Sequence, residues 1–325
     1  MKFQPYPLTV KPILKEKVWG GRNLKPYVNT GGRKIGEAWM LSDRKGGESV
    51  ITSGALKGMT IGESIEKYPG QMMGPALIKK YGWKFPLLFK FLDTNDRLSV
   101  QVHPDDKYAL LRGFPSGKTE MWYVLGSRPG SSLMAGFKSA QTRKTLVDAI
   151  NKGTLVGKLK KYGASRSDCF FIPAGTIHTI DKGNVILEIQ QNSDTTYRLY
   201  DWGREVTGGR GLNIADAVNS VKFGIKAGKI TARAKRLSKG ISLRQLARCP
   251  YFDCDEVIIE KNASYWYNDN KALIMTVIEG EVRITDENGE NFRYKKGSFV
   301  FIPFSLTGLL IKSIISSRLI FTEVK

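Results

Sequence analysis

The sequence predicts a mainly β protein that contains two copies of one antiparallel β-sandwich or barrel. Short runs of β-branched and aromatic residues recur along the 325-residue chain, and Gly, Pro, Asn or Asp separates them. The segment CFFIPAGTIH at 169–178 is echoed by SFVFIPFSLT at 298–307, since each joins an apolar run to Ile-Pro and a turn. Helical periodicity is limited to short segments at 59–68, 138–160 and 214–221, so we expect a small helical portion.

The predicted strands follow one another through most of the chain. Each is rich in residues that favour a pleated, half-buried surface. The stretch 306–321 is also apolar, but Lys312 and Arg318 interrupt it, so we expect strands there and no membrane span. In order, the clearest runs are FPLLFKFL (85–92), RLSVQVHP (97–104), EMWYVLG (120–126), CFFIPAG (169–175), NVILEIQQ (184–191), TTYRLYDW (195–202), ALIMTVIEGEVRIT (272–285) and SFVFIPF (298–304).

A basic segment divides the chain into two predicted domains. Residues 225–240, IKAGKITARAKRLSKG, are poor in large apolar side chains and are the best linker candidate. They separate a first domain at 1–224, which includes a helical insertion, from a shorter, strand-rich second domain at 241–325. Asn213 is the predicted N-cap of the helix at 214–221.

Composition limits the classes of partner and site. Hydrophobic residues make up 41% and charged residues 25% of the chain, the balance of an ordinary globular protein. Lys and Arg total 51 against 30 Asp and Glu, so the net charge of +21 favours an anionic partner such as a sugar phosphate, a nucleotide or a nucleic acid. Three scattered cysteines exclude a disulfide framework and a four-thiolate zinc site, and the start of the chain is unlike a signal peptide. We therefore expect a cytoplasmic protein.

Histidine occurs only twice, and both copies lie in patterns typical of a site. On the strand that ends at His103, side chains alternate, so Ser99, Gln101 and His103 share one face. Polar side chains that face inward are unfavourable unless they bind something. Lys118 and Glu120 share a face at the start of another strand. The spacing Pro-x-Gly-x-x-His predicts a tight turn that returns His178 to the mouth of the barrel.

These residue types are suited to a divalent metal. Two imidazoles, a carboxylate and an amide oxygen can hold an ion and leave positions open for substrate. Zinc suits this set, although iron or manganese would also accept such ligands. Because the second copy of the β-fold contains no histidine, only the first copy can carry this chemistry.

Taken together, the motifs resemble those of type I mannose-6-phosphate isomerases, zinc enzymes of the cupin superfamily. The resemblance rests on the following segments in the family's order: WGGRNL (19–24), IGEAWMLSD (35–43), FPLLFKFLDTNDRLSVQVHPDD (85–106), GKTEMWYVL (117–125), PAGTIHTI (173–180), NSDTTYRLYDWGR (192–204) and GRGLNIADA (209–217). One departure is Asn213, at a position that the family often fills with His. The resemblance is strong over about 1–220 and weaker beyond, as in the short bacterial form.

The resemblance implies two cupin-type jelly-roll β-barrels, of which the second binds no metal. It implies one zinc ion per chain and the interconversion of mannose 6-phosphate and fructose 6-phosphate. Carried over residue by residue, it makes Gln101, His103, Glu120 and His178 the metal ligands. Arg198 and Lys118 match active-site positions, and Lys90, Glu188 and Asp194 match positions in or beside the substrate pocket.

The residue types fit that chemistry. Aldose–ketose isomerisation moves a proton between two carbons through an enediol, which requires a base and stabilisation of an oxyanion. We expect Glu188 or Lys118 to take part in proton transfer and Arg198 to be essential, as an enediolate or phosphate contact. Lys90, flanked by Phe89 and Phe91, needs an anionic partner if it points inward.

Contacts with the sugar phosphate are assigned to Lys90, Ser99 and Asp194. The sequence is also compatible with other functions. The chain could be another metal-dependent cupin enzyme, such as a dioxygenase or a different sugar-phosphate isomerase. It could instead be a non-catalytic sugar-binding cupin, or a relative that has lost isomerase activity. We expect no nucleic-acid partner, because the basic runs lack interleaved aromatic residues. We expect no membrane partner, because no apolar run is long enough to cross a bilayer. The oligomeric state is open, with a homodimer as one option.

Overall fold

The computed structural model describes residues 4–204 and 211–325, and all pairs of strands in them are antiparallel. The first two residues of the GRGLNIADA segment, Gly209 and Arg210, lie outside the described residues. The predicted mainly β fold with a small helical portion is confirmed. No helix in the described ranges is long and apolar enough to span a membrane.

Most strands are short, as the sequence predicts. In chain order, the first are β1 (Leu8–Thr9), β2 (Ile13–Lys15), β3 (Glu37–Leu41), β4 (Asp43–Arg44), β5 (Gly47–Glu48), β6 (Leu87–Thr94), β7 (Val100–Val102), β8 (Glu120–Ser127), β9 (Ser132–Phe137), β10 (Leu159–Gly163), β11 (Cys169–Ile172), β12 (His178–Ile180), β13 (Asn184–Gln191), β14 (Tyr197–Tyr200) and β15 (Gly228–Lys229). They are followed by β16 (Lys235–Ser238), β17 (Ile241–Arg248), β18 (Phe252–Ile259), β19 (Ser264–Tyr267), β20 (Leu273–Thr285), β21 (Asn291–Lys295), β22 (Phe299–Ile302) and β23 (Leu309–Val324).

The helices are few and short. They are α1 (Ile61–Lys67), α2 (Pro69–Met72), α3 (Pro75–Tyr81), α4 (Asp106–Leu111), α5 (Arg143–Asn151), α6 (Leu155–Lys158) and α7 (Ile214–Ser220). The three segments with helical periodicity therefore contain α1, α5 with α6, and α7. Asn213 holds the predicted N-cap position of α7. Its side chain makes no capping bond, and its Oδ1 instead accepts a hydrogen bond from the backbone N–H of Arg198 at 3.3 Å.

Two sheets form the first sandwich. The seven-stranded sheet has the order β15-β11-β8-β13-β6-β3-β2, and the five-stranded sheet has the order β10-β9-β12-β7-β14. Apolar side chains such as Leu133, Phe170 and Ile186 pack in one cluster between them. Helices α5 and α7 pack on the other face of the five-stranded sheet, where Leu146 and Ala217 join the cluster that contains Val100.

The second sandwich is built on a nine-stranded sheet. Its main path runs β1-β22-β20-β23-β18-β17-β16, with β19 paired to β23 and β21 paired to β20. Strand β1 belongs to this sheet, since Leu8 pairs with Phe301. The basic segment 225–240 supplies a strand to each sandwich, β15 to the first and β16 to the second.

Central strands of the seven-stranded sheet are buried on both faces. Phe89 and Phe91 of β6 point toward the second sandwich, and their rings lie 5.8 Å and 5.2 Å from that of Phe299. Because side chains alternate along a strand, Lys90 points the other way, into the first sandwich, where it is 3% exposed. The sheet thus presents one apolar face to the second sandwich and keeps its polar side chains inside the first.

A buried ion cluster joins the two sandwiches. Glu256 of β18 is 2% exposed and lies 2.7 Å from Arg244 and 2.6 Å from Arg318. Tyr123 of β8 donates a hydrogen bond to the same carboxylate at 2.6 Å. Arg318 also lies 3.8 Å from Glu279, but Glu256 is the nearest carboxylate to both guanidinium groups, so its removal leaves two largely buried cations without their main partner.

We therefore expect Glu256→Ala to lower the free energy of unfolding by about 3–5 kcal/mol. The matched control is Asp148→Ala, which breaks the exposed Lys144–Asp148 pair on α5 and is expected to leave the free energy of unfolding almost unchanged. Urea unfolding followed by circular dichroism measures both. Similar small losses for the two variants would contradict a role for Glu256 in joining the sandwiches.

Candidate functional site

A cavity of about 360 Å³ lies in the first sandwich and gathers most of the predicted site residues. Seven of them line it: Lys90, Ser99, Gln101, Lys118, Glu188, Asp194 and Arg198. Residues that the sequence did not single out complete the wall: Glu16, Lys17, Val18, Trp19, Glu37, Leu92, Leu98 and Thr196.

The other three predicted residues form a buried cluster beside this cavity. One ligand atom from each of His103, Glu120 and His178 lies within 4.8 Å of the others, and all three side chains are buried. Two cavity residues reach the cluster: Gln101 Nε2 is 3.2 Å from His178 Nε2, and Lys118 Nζ is 3.1 Å from His103 Nε2. The structure therefore brings all ten predicted site residues into one place.

Strand pairing explains why residues so distant in sequence meet. His178 of β12 pairs with Gln101 of β7. The predicted turn before His178 is present, and its Gly175 has φ +91° and donates a backbone hydrogen bond to the carbonyl of His103 at 2.9 Å. A Cβ at position 175 would lie 2.7 Å from Lys222 Cγ, so this turn requires glycine.

Each histidine is oriented by a backbone carbonyl. Nδ1 of His103 lies 2.8 Å from the carbonyl oxygen of Thr195, and Nδ1 of His178 lies 2.9 Å from that of Thr176. Since a carbonyl can only accept, Nδ1 carries the hydrogen in both rings and Nε2 presents its lone pair. Burial lowers the pKa of both imidazoles, that of His178 to about 3, so both are neutral.

Glu120 completes a set of acceptors that face one another. Its Oε1 lies 3.4 Å from His178 Nε2, and its Oε2 lies 3.6 Å from His103 Nε2. Oε1 is buried and has no hydrogen-bond partner in the described ranges of the chain. Burial also raises the pKa of Glu120, to about 7, although Lys118 opposes the shift. Two lone pairs and an unsatisfied carboxylate oxygen around one point fit a cation.

The amide of Gln101 lies at the edge of this set. Its Oε1 accepts a hydrogen bond from Ser99 Oγ at 3.0 Å, and its Nε2 faces His178. An amide oxygen is the group that binds a metal, so ligation by Gln101 requires the amide to turn by half a rotation. The side chain is already directed at the cluster.

Lys118 connects the cluster to the cavity. Its ammonium group contacts the Glu120 carboxylate and lies 3.7 Å from Glu188 Oε1. Lys90 lies on the other side of Glu188, at 3.3 Å from the same oxygen. Burial raises the pKa of Glu188, but Lys118 and Lys90 outweigh it and hold the pKa below its usual value. Glu188 is therefore ionised at neutral pH.

Lys90 is surrounded by carboxylates. Besides Glu188, it lies 3.4 Å from Asp194 Oδ1 and 3.8 Å from Glu37 Oε2. Burial lowers the pKa of Lys90, but these three carboxylates outweigh it and raise the pKa above its usual value. The anionic partners that the sequence required for an inward lysine are present.

Among the wall residues that the sequence did not single out, Glu37 and Lys17 extend the charge cluster around Lys90. Glu37 accepts a hydrogen bond from Trp39 Nε1 at 2.8 Å and lies 3.4 Å from Lys17 Nζ. It begins β3, a strand that is buried throughout, so the argument used for Lys90 would also have identified it. No local signal marks Lys17, which follows Glu16 in a short charged run.

Comparison with known proteins relates this arrangement to one family. Residues 8–120 match the model of the phosphomannose isomerase type I catalytic domain, and residues 257–310 match that of an EutQ-like cupin domain. Mannose-6-phosphate isomerase ManA of Bacillus subtilis (strain 168) is 34% identical over 308 residues, which cover 92% of this chain and 94% of that protein. Mannose-6-phosphate isomerase of Streptococcus mutans is 33% identical over 307 residues, covering 91% and 92%.

Solved structures agree with this relationship. The mannose 6-phosphate isomerase from Bacillus subtilis superposes with a TM-score of 0.88 at 32% identity, covering 99% of this chain and 100% of that one. A mutant of phosphomannose isomerase from Salmonella typhimurium gives a TM-score of 0.76 at 18% identity, covering 98% and 99%, which shows a common fold.

The carboxylates around Lys90 lead to a prediction about stability and pH. Lys90→Met leaves Glu37, Glu188 and Asp194 without their shared ammonium group, so we expect it to lower the free energy of unfolding at pH 7 by about 3–5 kcal/mol. A carboxyl group with a depressed folded pKa contributes stability above its unfolded pKa, and this is lost as the pH falls. Since the variant lacks this contribution from Glu188 and Asp194, its deficit should shrink below about pH 4.5.

Urea unfolding at pH 7 and in the acid range tests this expectation. Lys17→Met is the control, because Lys17 contacts Glu37 from the rim with a third of its side chain exposed. We expect it to lose about 1 kcal/mol or less. A deficit for Lys90→Met that does not change with pH would contradict the proposed charge pairing.

Proposed function

The chain belongs to the type I mannose-6-phosphate isomerase family, and we propose that it interconverts mannose 6-phosphate and fructose 6-phosphate. The observation that carries the proposal is the set of inward-facing acceptors of His103, Glu120 and His178 beside a cavity lined by Lys118 and Glu188. These are the groups that a proton transfer between two carbons of a sugar requires.

We propose that His103, Glu120 and His178, with Gln101, hold one divalent ion, for which zinc is the best match to the ligands. Both imidazoles are neutral and present Nε2, and Glu120 Oε1 has no other partner in the described part of the chain. When bound, the ion supplies Lewis-acid stabilisation of the developing oxyanion.

The reaction conserves atoms and needs only proton transfers. From the aldose, a base removes the proton on C2 while O1 gains a proton, which gives an enediol. O2 then loses its proton and C1 gains one, which gives the ketose. Glu188 is ionised and lines the cavity, so it has the form of a base. The Lys118 ammonium group beside it can donate to a sugar oxygen.

Charge in the cavity suits a dianionic substrate only when a cation is added. The acidic wall residues Glu16, Glu37, Glu188 and Asp194 are matched in number by Lys17, Lys90, Lys118 and Arg198. The net charge of +21 is therefore not concentrated there. A divalent ion at Glu120 would make the region attractive to a sugar phosphate, with Arg198 suited to hold an enediolate or a phosphate.

The remaining roles are also proposals. Lys90, Ser99 and Asp194 line the cavity, and we propose that they contact the sugar or orient the groups that do. The cytoplasmic location, the lack of a nucleic-acid partner and the homodimer option stay predictions from the sequence.

Removal of metal tests the ligand assignment. We expect dialysis against a chelator to lower kcat/KM for mannose 6-phosphate at least about 1,000-fold, because the oxyanion loses its main stabilisation. Zinc added back should restore it, and a sample dialysed without chelator is the control. Metal analysis should find about one ion per chain in the native protein and almost none in His178→Ala. A metal-free chain that isomerises at the original rate would refute the assignment.

Arg198→Ala tests the anion contact. We expect kcat/KM to fall about 100- to 1,000-fold, since a guanidinium group that faces developing charge contributes several kcal/mol. Arg112→Ala is the control, because Arg112 pairs with Asp216 at the surface and does not line the cavity. A coupled assay that follows fructose 6-phosphate measures both. Full turnover by Arg198→Ala would remove Arg198 from the mechanism.

A further inference from the structure

The carboxylate of Asp106 forms hydrogen bonds with three segments that are distant from one another in the sequence. It is the first residue of α4, and its Oδ1 accepts hydrogen bonds from the backbone N–H of Gly117 at 2.8 Å and from Gln191 Nε2 at 2.9 Å. Its Oδ2 accepts a hydrogen bond from the hydroxyl of Tyr251 at 2.6 Å. Asp106 does not line the cavity, so it acts on the site only through these partners.

Two of these partners hold the backbone on each side of Lys118. Gly117 precedes it, and a Cβ at 117 would lie 2.6 Å from the backbone of Asp105, so this segment packs tightly against the start of α4. On the other side, the N–H of Thr119 donates to Gln191 Oε1 at 2.8 Å. The Gln191 amide thus donates from Nε2 to Asp106 and accepts at Oε1 from the residue that follows Lys118.

The third partner, Tyr251, comes from the second sandwich. It lies in the turn between β17 and β18, and its carbonyl accepts a hydrogen bond from the backbone N–H of Lys325 at 3.0 Å. The neighbouring carbonyl of Pro250 accepts one from Lys80 Nζ at 2.8 Å. These two hydrogen bonds fix the turn, so the hydroxyl of Tyr251 has a defined position from which it donates to Asp106.

We propose that Tyr251 and Asp106 are positioning residues through which the second sandwich fixes Lys118 in the active site. The proposal rests on the proposed isomerase function for its kinetic effects. The Lys118 ammonium group must lie between Glu120 and Glu188, at 3.1 Å from His103 Nε2. A shift of 1 Å in such a group can cost about 100-fold in rate, so the hydrogen bonds around its backbone influence the reaction without contact to the sugar.

Tyr251→Phe in the full-length, metal-loaded protein is the main test, since it removes only the hydroxyl. We expect kcat to fall about tenfold while KM changes less than about twofold, because the loss affects orientation of Lys118 rather than binding. Asp106→Asn is the second variant. It keeps an oxygen for Gly117, so we expect a smaller fall in kcat than for Asp106→Ala.

Tyr81→Phe is the matched control. The hydroxyl of Tyr81 donates to the backbone oxygen of Lys325 at 2.6 Å, so it also joins α3 to the end of the second sandwich. It meets the Tyr251 turn only through the backbone of Lys325, and among the described residues it makes no hydrogen bond to Asp106, Gly117 or Gln191. We expect a loss of stability similar to that of Tyr251→Phe and no change in kcat. Equal kinetic effects of the two variants would show a general loosening between the sandwiches and overturn the proposal.

Hydrogen exchange separates this proposal from the proposed function. We expect the backbone amides of 117–119 to exchange about tenfold faster in Tyr251→Phe than in the wild-type protein, and no faster in Tyr81→Phe. If the wild-type protein does not isomerise mannose 6-phosphate, the proposed function fails, and exchange alone decides the positioning role. Unchanged exchange at 117–119 with kcat within twofold of wild type would overturn that role.

Discussion

Burial of charge inside the first sandwich is the constraint on which the site depends. Lys90 and Lys118 are almost fully buried, and nearby carboxylates stabilise the positive charge of each. Glu188 lies between the two ammonium groups and is kept ionised by them. Glu120 is the exception, since its Oε1 lies 3.4 Å from the lone pair of the neutral His178 ring and has no hydrogen-bond partner in the described part of the chain. The same network that stabilises the lysines thus leaves one position suited to a cation.

The second sandwich contributes to this site without a ligand of its own. It covers the outer face of β6, β8 and β13, where Phe89 and Phe91 pack against Phe299. Because those strands are buried on both sides, their inner face can carry Lys90 and Glu188 at fixed positions. The Tyr251–Asp106 hydrogen bond extends the same support to the backbone around Lys118. The second sandwich therefore supports the strands that carry the buried charges of the first.

Prediction from the sequence succeeded where the signal was local. The common face of Ser99, Gln101 and His103 and the turn before His178 follow from strand alternation and from one glycine with positive φ. Prediction from the sequence was incomplete where the hydrogen-bond partner of a side chain lies far away in the sequence. Asn213 occupies the N-cap position, but its side chain bonds to the backbone of Arg198, fifteen residues earlier. The role of Tyr251 depends on Asp106, 145 residues away, and no local pattern marks that pair.

The sequence by itself determined which residue types could meet: two histidines, one amide and one carboxylate in strands that direct them inward, with no second set available. Only the tertiary structure decided how they meet. It set the register that pairs His178 with Gln101, the carbonyls that orient both imidazoles, and the grouping of Glu37, Glu188 and Asp194 around Lys90. The reason is physical: the direction of a side chain follows from the backbone of its own strand, whereas distances between strands follow from sheet pairing and packing.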